Sequence, residues 1–592
     1  GGPEFSGLLV LDNGDNRIDQ NKNSILALDE TSSLLAITHL RLLNHAQAEF
    51  QSFAQINQLS GDNTDTSVTV REYAQLITPA SFTLTDGVHL HVAGHLTGTE
   101  NLEIRGNSYL HLKETGFSDS QTVTQSTNLN DVITNEVLYK NTINRYHFDS
   151  VILEDGGSMS TKSASGIKCG TKGNQLFWDP EASGCFCRQA YGTPAYCGLN
   201  QFCLDGACVA DQVLGDATIL TTNSMRVGAT TTLGSEVVSS LLVDGVLDLT
   251  SETMTITVNG KVLGDGKGSY EEEGPGYLFD TTKLDYINPT LGHPGGSHGG
   301  VGGMQGDIKF GEQGSCYGSL KEPVTMGSGG RRGIHAGTDT FGGRGGAAIK
   351  ISATTSMLID GTINMDGSRG SEIVQYNQNH APGGGGSGGS VYITTLTLSG
   401  SGTITTDGAV ANRGGPATHP YNLLAYDSGG GGGGRIAIHC TTREFTGTLS
   451  SKGGTLGPRF TVDGMNVAAQ TIQPYGSSGY VPIARYSYLV GGAGTIWSDC
   501  GGPEFSGLLV LDNGDNRIGH NKRSLLVLDE TTKLLTVPHL RLLNRAVVAF
   551  EASANVISTA EFGKLSGDVT GTLDVLPQTT VILGNSIKNM HS

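Results

Sequence analysis

Cysteine is the residue whose spacing in this chain most directly suggests chemistry. Six of the nine cysteines fall within about 40 residues, and the other three are widely separated. Such a cluster is typical of a small module that disulfides hold together in an oxidising compartment. We therefore expect an extracellular protein, and the disulfide candidates are Cys169, Cys185, Cys187, Cys197, Cys203, Cys208, Cys316, Cys440 and Cys500.

The sequence leaves the pairing of these cysteines open. Six cysteines allow many connectivities, and an odd total leaves one for a thiol, an intermolecular bridge or a partner outside the chain. Zinc binding is the competing interpretation of the cluster. It is disfavoured because the cluster lacks the two Cys-x-x-Cys knuckles that are typical of such sites.

Histidine pairs are the next candidates for metal chemistry. His89 and His91 are two residues apart in a strand-like stretch, so both side chains project from one face and could grip a metal ion. His293 and His298 form a second pair in a glycine-rich loop. Because no cysteine or carboxylate cluster completes either pair, we predict solvated polar residues, with no metal site and no cofactor.

Two further stretches resemble ligand-binding loops only in part. "LDNGDNRID" suggests a calcium loop, but the third position after a start at Asp12 is Gly14, and a second copy of the stretch has Gly519 in place of Asp19. "GGGGSGGS" at Gly383 lacks the Gly-Lys-Ser/Thr ending of a phosphate-binding loop. We predict a turn for the first stretch and no nucleotide site for the second.

The composition indicates which elements must carry these residues. Glycine is abundant, at 88 residues, while only 16% of residues are charged. Short apolar–polar alternations rich in Val, Ile and Thr recur throughout, as in "VHLHV" and "MTITV", which predicts an all-β protein. We interpret the Asp-Gly and Asn-Gly pairs between the strands as sharp corners: Asp86–Gly87, Asp244–Gly245, Asn259–Gly260, Asp360–Gly361, Asp366–Gly367 and Asp407–Gly408.

Charge and hydropathy exclude two classes of partner. The net charge of −19, without a basic cluster, argues against binding to nucleic acid. No apolar run approaches the length of a membrane-spanning helix, so we expect no membrane span.

A longer repeat lies in the glycine-rich part of the chain. Glycine runs followed by an Ile-x-Ile type strand recur about every 43 to 45 residues, before Ala347, Ser390 and Arg435. This period favours a parallel β-helix, or solenoid, with a β-sandwich array and a propeller as competitors. We expect the glycine runs to occupy close-packing positions rather than flexible linkers.

These patterns divide the chain into seven segments. We predict an N-terminal β repeat copy (1–92), β-solenoid coils (93–160), a cysteine-rich module (161–212), further coils (213–265), a Gly/Pro/His-rich excursion (266–341), glycine-rich solenoid repeats (342–500) and a C-terminal copy of the first segment (501–592).

The first and last segments share one sequence. "GGPEFSGLLVLDNGDNRI" occurs at Gly1 and again at Gly501, and residues 1–46 and 501–546 agree at about three quarters of positions. A duplicated end domain, or a tandem array with a period of about 500 residues, explains this repeat. Alternatively, the second copy stacks on the solenoid like the start of the next subunit, which gives an open filament.

The cysteine cluster and the glycine repeats together resemble a known family. "GCFCRQAYGTPAYC" is similar to the end of an EGF-like domain, and "CGLNQFCLDGAC" is similar to its beginning. With "GGGGSGGSVYI" and "GGGGGGRIAI", they resemble large secreted filament proteins of algae and other protists, such as the subunits of tubular flagellar hairs (mastigonemes). The resemblance spans roughly 160–500 and departs from the usual six-cysteine order.

This resemblance implies a self-assembling structural subunit on a flagellar or cell surface, with O-linked glycans and without catalytic residues. Two other classes stay open in the sequence. One is a secreted β-helix enzyme acting on polysaccharides, and the other is an adhesin or carbohydrate-binding solenoid. The adhesin should present a row of exposed aromatic residues, whereas aromatics here are only 6% of the chain.

Overall fold

A computed structural model of the chain contains strands, turns and extended segments, and none of the residues that it describes lies in an α-helix. The structure describes residues 7–13, 24–26, 35–71, 74–112, 144–162, 176–179, 184–187, 195–196, 201–204, 207–210, 217–229, 237–276, 294–303, 314, 316–332, 341–371, 383–412, 428–455, 490–502, 506–514, 524–527, 534–551, 558–568, 570–575 and 579–588.

Thirty-seven strands occur in these ranges, and most belong to two long sheets. The first long sheet contains β1 (Leu8–Asp12), β3 (Leu35–Leu43), β5 (Phe53–Ser60), β7 (Gln75–Ile77), β8 (Ser81–Thr85), β10 (His95–Thr97), β11 (Asn101–Ile104), β13 (Asn144–Leu153), β20 (Ala217–Val227), β22 (Val246–Ile256), β24 (Ala348–Ile359), β26 (Ser390–Gly400), β28 (Arg435–Phe445), β30 (Thr495–Cys500), β31 (Leu508–Asp512), β33 (Leu534–Leu543), β35 (Ser558–Gly567) and β37 (Thr579–Lys588). The second contains β2 (Ser24–Leu26), β4 (Gln47–Phe50), β6 (Thr66–Val70), β9 (Val88–Val92), β12 (Tyr109–Leu112), β14 (Ser158–Lys162), β21 (Ser239–Asp244), β23 (Gly260–Leu263), β25 (Thr362–Asn364), β27 (Thr403–Thr405) and β29 (Thr448–Ser450). Three small sheets hold β15 (Leu176–Asp179), β16 (Gly184–Cys187) and β17 (Ala195–Tyr196); β18 (Gln201–Leu204) and β19 (Ala207–Ala210); and β32 (Ser524–Val527), β34 (Val547–Glu551) and β36 (Thr572–Val575).

Successive coils stack in parallel register, so the expected parallel β-helix is confirmed. In the glycine-rich region each coil contributes one long strand to the first sheet and one short strand to the second. Because side chains alternate along a strand, every second residue points inward and meets its equivalent in the next coil. The inward columns include Leu249, Ile351, Ile393 and Ile438 in the first sheet, and Val262, Ile363, Ile404 and Leu449 in the second.

One continuous apolar core fills this β-helix. Its buried residues run from Ile37 in the first copy of the repeat to Cys500 at the end of β30. The first copy and the glycine-rich coils are therefore parts of one rod, and burial of these aliphatic columns is the main favourable contribution to its stability.

Extended glycine segments form the third side of the glycine-rich coils. In segment 383–389, successive backbone N–H groups turn to three different neighbours, and the direction repeats every third residue. A three-residue period with lateral hydrogen bonds is that of the polyproline II conformation, called polyglycine II when glycine forms it. Gly384 and Ser387 donate to Arg331 and Ser328, Gly385 and Gly388 donate to Gly429 and Gly432, and Gly386 and Gly389 donate to Ser368 and Met365.

These segments pack in rows and form what we call the glycine array. The first row leads into strands of the first long sheet and consists of segments 341–347, 383–389, 428–434 and 490–494. The second row follows strands of the second long sheet and consists of segments 365–371, 406–412 and 451–455. Segments 294–303 and 327–332 hydrogen-bond to the first row, so the described part of the excursion is built into the array.

Glycine is required in the array because the segments touch backbone to backbone. A Cβ atom added at Gly431 would lie 1.9 Å from the carbonyl oxygen of Gly386, and one added at Gly434 would lie 2.1 Å from that of Gly389. Both distances are far below van der Waals contact. The runs therefore occupy close-packing positions and are not flexible linkers.

The Asp-Gly pairs do not all form the corners that the sequence predicts. Asp86 and Gly87 have φ angles of 61° and 74°, which suits a tight turn. The prediction is wrong for Asp366–Gly367 and Asp407–Gly408, which lie in extended segments and not in turns. These pairs begin glycine-array segments, and their backbone bonds sideways to the next coil, as from Gly367 to Asp407 at 2.9 Å.

The second copy of the repeat builds a β-helix with a core of its own. Strands β31, β33, β35 and β37 continue the first long sheet, while β32, β34 and β36 form a small sheet. Its buried core includes Leu540, Leu542 and Phe562 and is separate from the core of the rod. The repeat therefore occurs once as part of the rod and once as the start of another β-helix.

Both copies contain the same polar turn. Asn44 has a φ of 53°, donates through its side chain to Asp12 at 2.7 Å, and donates through its backbone N–H to Asp62 at 2.7 Å. Asn544 makes the same bonds to Asp512 and Asp568 at 2.7 and 2.6 Å. Asp12 thus has a structural role, and the rest of its loop, with Gly14, Asp19 and Gly519, lies outside the described residues.

The cysteine-rich segment contains short antiparallel strands. β15, β16 and β17 form one sheet, and β18 pairs with β19 so that Cys203 lies opposite Cys208. Cys169 and Cys197 lie outside the described residues, as do the side chains of Cys185, Cys187, Cys203 and Cys208. The EGF-like pattern therefore stays a prediction.

Candidate functional site

The rod meets the second copy of the repeat at β30, and we call this contact the joint. β30 pairs in parallel with β28 on one edge and antiparallel with β31 on the other. The antiparallel register sets Ile496 opposite Val510, Trp497 opposite Leu509, and Ser498 opposite Leu508. A single sheet thus continues from one β-helix into the next.

Trp497 anchors the joint. Its side chain is 3% exposed and packs in the core of the second copy with Leu509, Leu511 and Leu320. The ammonium group of Lys321 lies 5.0 Å from the centre of the indole ring, within cation–π range. Large aromatic residues in such desolvated positions carry much of the binding energy of an interface.

The two cores lie on opposite faces of β30. Ile496 and Cys500 belong to the core of the rod, whereas Trp497, between them, belongs to the core of the second copy. Alternation of side chains along the strand produces this division. Each face of β30 is therefore buried by a different β-helix, so the strand contributes to the cores of both.

A disulfide fastens the rod side of the joint. Cys440 of β28 and Cys500 of β30 are register partners and are joined by a disulfide, with Cα atoms 4.4 Å apart. Next to it, Arg443 donates to the hydroxyl of Ser498 at 3.1 Å. Both links hold the last strand of the rod to the coil before it.

Buried polar groups tie the excursion to the start of β30. Arg435 is 1% exposed and donates to the carbonyl oxygen of Tyr317 at 2.8 Å and to the hydroxyl of Thr495 at 3.0 Å. Burial lowers the pKa of Arg435 to about 10. His298 bonds through its two ring nitrogens to the carbonyl oxygen of Gly388 at 2.7 Å and the hydroxyl of Thr325 at 3.0 Å.

His298 is fully buried in this cluster, so the prediction that it is a solvated polar residue is wrong. Burial, followed by the charge of Arg435, lowers the pKa of His298 to about 3, so the ring is neutral near neutral pH. Its ring packs on Tyr317, with centroids 4.6 Å apart. His293, its predicted partner in a metal pair, lies outside the described residues.

The excursion also covers the second copy directly. Cys316 is buried against Val301 and Ala549, and Ala549 belongs to β34 of the second copy. The ring of His439 donates to the carbonyl oxygen of Lys321 at 2.7 Å, which holds the covering segment against β28. Side chains from the rod, the excursion and the second copy thus form one interface.

The first copy of the repeat shows the same strand without this cover. β1 pairs in parallel with β3, and no described strand pairs with its other edge. Val10 is 43% exposed, and Leu9 and Leu11 are only partly buried against the core of the rod. In the second copy, Leu509 and Leu511 are fully buried.

The last described strand of the second copy, β37, also carries exposed apolar residues. β37 pairs with β35 and has no strand beyond it among the described residues. Leu583, which lies beside the buried Phe562, is 43% exposed, and Ile582 is exposed as well. Such a strand edge presents both backbone groups and apolar surface to another chain segment.

A cluster of four rings lies on the outer face of the second long sheet. It contains His89, His91, Tyr109 and His111, with neighbouring ring centroids 5.7 to 6.4 Å apart. Burial, followed by the charges of His111 and His89, lowers the pKa of His91 to about 4. Among the described residues, no group of three His, Cys, Asp or Glu side chains is arranged to hold a metal ion.

Aspartates on neighbouring coils form a ladder at the edge of the glycine array. The backbone N–H of Asp407 donates to the carboxylate of Asp366, and that of Lys452 donates to the carboxylate of Asp407, both at 2.6 Å. Burial and, to a lesser extent, the charge of Asp407 raise the pKa of Asp366 to about 7. These bonds give both aspartates a structural role.

Sequence reasoning missed most of the residues of the joint. It named Cys440 and Cys500 as disulfide candidates, and the structure brings these two together. It did not single out Trp497, Leu320 or Arg435. One signal was present, because "TIWSDC", an alternating strand with one of only two tryptophans, directly precedes the second copy.

No protein-family model, curated protein or solved structure matches this chain. Within the described part of the chain, no helix has the length and apolar character needed to cross a membrane.

Proposed function

We propose that this chain is a structural unit of an extracellular filament or surface appendage in which β-helical rods follow one another through repeated joints. The joint between β30 and β31 is the observation that carries the proposal. It places a second copy of the rod's own beginning against the rod's end, and both faces of the connecting strand are buried. Heterologous contacts of this kind extend into open linear assemblies when they do not close.

The resemblance to mastigoneme-type proteins supports the same function. It adds three proposals: assembly of the chain with itself, O-linked glycans on Ser and Thr, and a location on a flagellar or cell surface. The glycine array fits a mechanical role, because its lateral hydrogen bonds connect each segment to several neighbours. A structural unit of this kind needs no catalytic residues.

Electron microscopy of negatively stained particles tests this proposal. We expect elongated rods at low protein concentration and linear end-to-end particles as the concentration rises. Compact monomers that persist at every concentration would contradict it.

A matched pair of variants shows whether linear particles depend on the joint. Trp497→Ala removes the anchor that holds the rod of each chain to its second copy of the repeat and should shorten the particles, whereas Leu396→Ala truncates an exposed leucine outside the joint and should not. Equal shortening by both variants would count against a specific joint.

The ring cluster favours carbohydrate binding as a second candidate function. Aromatic and imidazole faces of His89, His91, Tyr109 and His111 lie together on one surface of the second long sheet. Ser67 and Ser158 flank these rings, because Ser67 pairs with His89 and Ser158 pairs with Tyr109 on adjacent strands. Flat ring faces beside hydroxyl groups can stack on the apolar face of a sugar and hydrogen-bond to its hydroxyls.

Retention on immobilised polysaccharides tests the second candidate. We expect the wild-type chain to be retained on at least one neutral or acidic polysaccharide and Tyr109→Ala to elute early, with Tyr392→Ala as the control outside the cluster. A wild-type chain that passes through every matrix without delay would end this candidate.

A further inference from the structure

β1 has the same five residues as β31, of which Leu508, Leu509 and Val510 pair with β30 in the joint. Leu8–Asp12 and Leu508–Asp512 have the identical sequence LLVLD. The surrounding eighteen residues, from Gly1 and Gly501, are also identical. Among the described residues, the same strand edge therefore occurs once occupied and once open.

Backbone geometry shows which groups of β1 are available. The carbonyl oxygen of Gly7 accepts from His39, and the N–H of Asn13 donates to Leu43, so odd-numbered residues bond to β3. Since successive backbone groups alternate in direction, the N–H and C=O groups of Leu8 and Val10 point to the open edge.

The second copy shows how that edge is filled. Gly507 and Asn513 make the equivalent bonds to β33, which leaves Leu508 and Val510 to face β30. In the antiparallel register, Leu508 and Val510 are the residues that lie opposite Ser498 and Ile496. The side chain opposite Leu509 is Trp497, and it closes the end of the apolar core.

We propose that the open edge of β1 is a binding site for one antiparallel strand of the β30 type, supplied by the end of another glycine-rich rod. Its Ile lies opposite Val10, its Trp opposite Leu9 and its Ser opposite Leu8. The apolar side chains of Leu9 and Leu11 and the exposed Val10 receive the cover that Leu509 and Leu511 already have. This inference rests on the proposed function and names the acceptor end of the assembly.

Another molecule of this chain can supply the strand only if its own β30 first leaves β28 or β31. Both edges of its own β30 are occupied, by β28 and β31. The occupant is therefore the last strand of a rod that is not already joined to a second copy. A peptide with the sequence of residues 494–500 represents such a strand, with Cys500→Ser to prevent disulfide exchange.

Fluorescence anisotropy of the labelled peptide with the full chain tests the proposal. We expect saturable binding to the wild-type chain and at least about tenfold weaker binding of the Trp497→Ala peptide, because a buried Trp is a typical hot spot. Val10→Pro in the chain removes an N–H from the open edge without touching the ladder to β3, and it should abolish binding. Val10→Thr keeps that N–H and should bind within about threefold of wild type.

Photo-crosslinking locates the bound peptide. A benzophenone in place of Thr495 should label residues 8–12, and trypsin separates this product from the second copy, whose fragment begins after Arg485. Labelling of residues 508–512, equal binding to the Val10→Pro chain, or no saturable binding would overturn the proposal. Evidence that β37 of another chain, and not the peptide, occupies the edge of β1 would also overturn it.

The outcomes separate this inference from the proposed function. Linear particles without peptide binding would overturn the acceptor edge and leave the filament standing. Peptide binding at residues 8–12 by chains that remain compact monomers would support the edge and contradict the filament.

Discussion

β1 and β31 have the same sequence and different surroundings. In β31, Leu509 and Leu511 are fully buried, while in β1 the same leucines are partly exposed and Val10 is 43% exposed. β30 pairs with β31 and not with β1, and Leu320 of the excursion and Ala437 of the rod also pack in the core that buries β31. The burial of this strand is therefore decided by the segments packed around it and not by its own residues.

Outside the shared strand, the two copies have adapted to their positions. Glu49 of the first copy forms an ion pair with Arg71 at 2.7 Å, whereas its equivalent, Ala549, packs on Val301 and Cys316. Gln47 is likewise replaced by Val547. The strand edge has been kept identical while the neighbouring outer face changed from polar to apolar, so a partner of the first copy meets the same edge beside a different face.

Removal of Trp497 should make the second copy resemble the first. Trp497→Ala leaves a large cavity between β30 and β31, and such substitutions cost about 3–5 kcal/mol. Hydrogen exchange should accelerate in residues 508–512 and stay unchanged in residues 8–12. The fragments must extend at least to positions 19 and 519, where Asp and Gly differ, because the copies are identical up to Ile18 and Ile518. Unchanged exchange in β31 would show that Trp497 does not hold the joint.

The same leucine can be truncated in both copies. Leu509→Ala should cost about 2–5 kcal/mol, as expected for a fully buried leucine. Leu9→Ala should cost about 1–2 kcal/mol, because part of that side chain already contacts water. Urea-dependent exchange of β33 and β3 measures the two effects. Equal costs would mean that β30 contributes little to the burial of Leu509.

The disulfide gives the rod side of the joint a stabilisation that the first copy lacks. Cys440→Ser combined with Cys500→Ser should cost about 2–4 kcal/mol, since the bridge closes a loop with a sequence separation of 60. Hydrogen exchange should increase in β30 and β31 while β1 and β3 keep wild-type rates. Increased exchange in β1 would reveal coupling along the whole rod.

The smallest difference concerns a pair of equivalent histidines. His39 and His539 bond to Ser60 and Ser566 at 2.9 and 2.7 Å, and burial lowers the pKa of each ring. Next to His539, Lys564 replaces Gln58 and lowers that pKa further. Lys564→Gln should therefore raise the pKa of His539, which NMR titration would detect as a shift by a few tenths of a unit.

The sign of the pH effect follows from the lowered pKa of both histidines. Above a pH of about 6.5, neither the folded nor the unfolded chain binds the proton, and the stabilisation is complete. It is lost as the pH falls from there through the lower folded-state pKa, because the unfolded chain then binds more protons. Lys564→Gln should narrow the pH range over which stability is lost for His539 alone. A change in the pKa of His39 would therefore contradict the local origin of the effect.

Alternation of apolar and polar residues was sufficient to predict the β-helix. The columns through Ile351, Ile393 and Ile438 follow from strands with the same pattern and a regular period. Glycine runs predicted close packing, but not which segments touch. The hydrogen-bond partners of Gly385 and Gly296 are far away in sequence. In a run of identical residues, nothing in the sequence indicates which glycine pairs with which.

The joint could not be derived from the sequence for a related reason. "TIWSDC" indicates a strand, yet the assignment of Ile496 to one core and Trp497 to another depends on an antiparallel partner. The shared sequence of β1 and β31 makes the same point, since no property of LLVLD distinguishes its two environments. Pairings between distant segments are set by the assembled coils and not by local preference.

The three-residue period of the glycine array restricts how its segments can change in length. One inserted residue would turn every later N–H in segment 383–389 toward the wrong neighbour, and two would do the same. Three inserted residues restore the original directions and add one turn. Length differences between homologous glycine runs should therefore come in multiples of three, because only these keep each later N–H directed at its original hydrogen-bond partner.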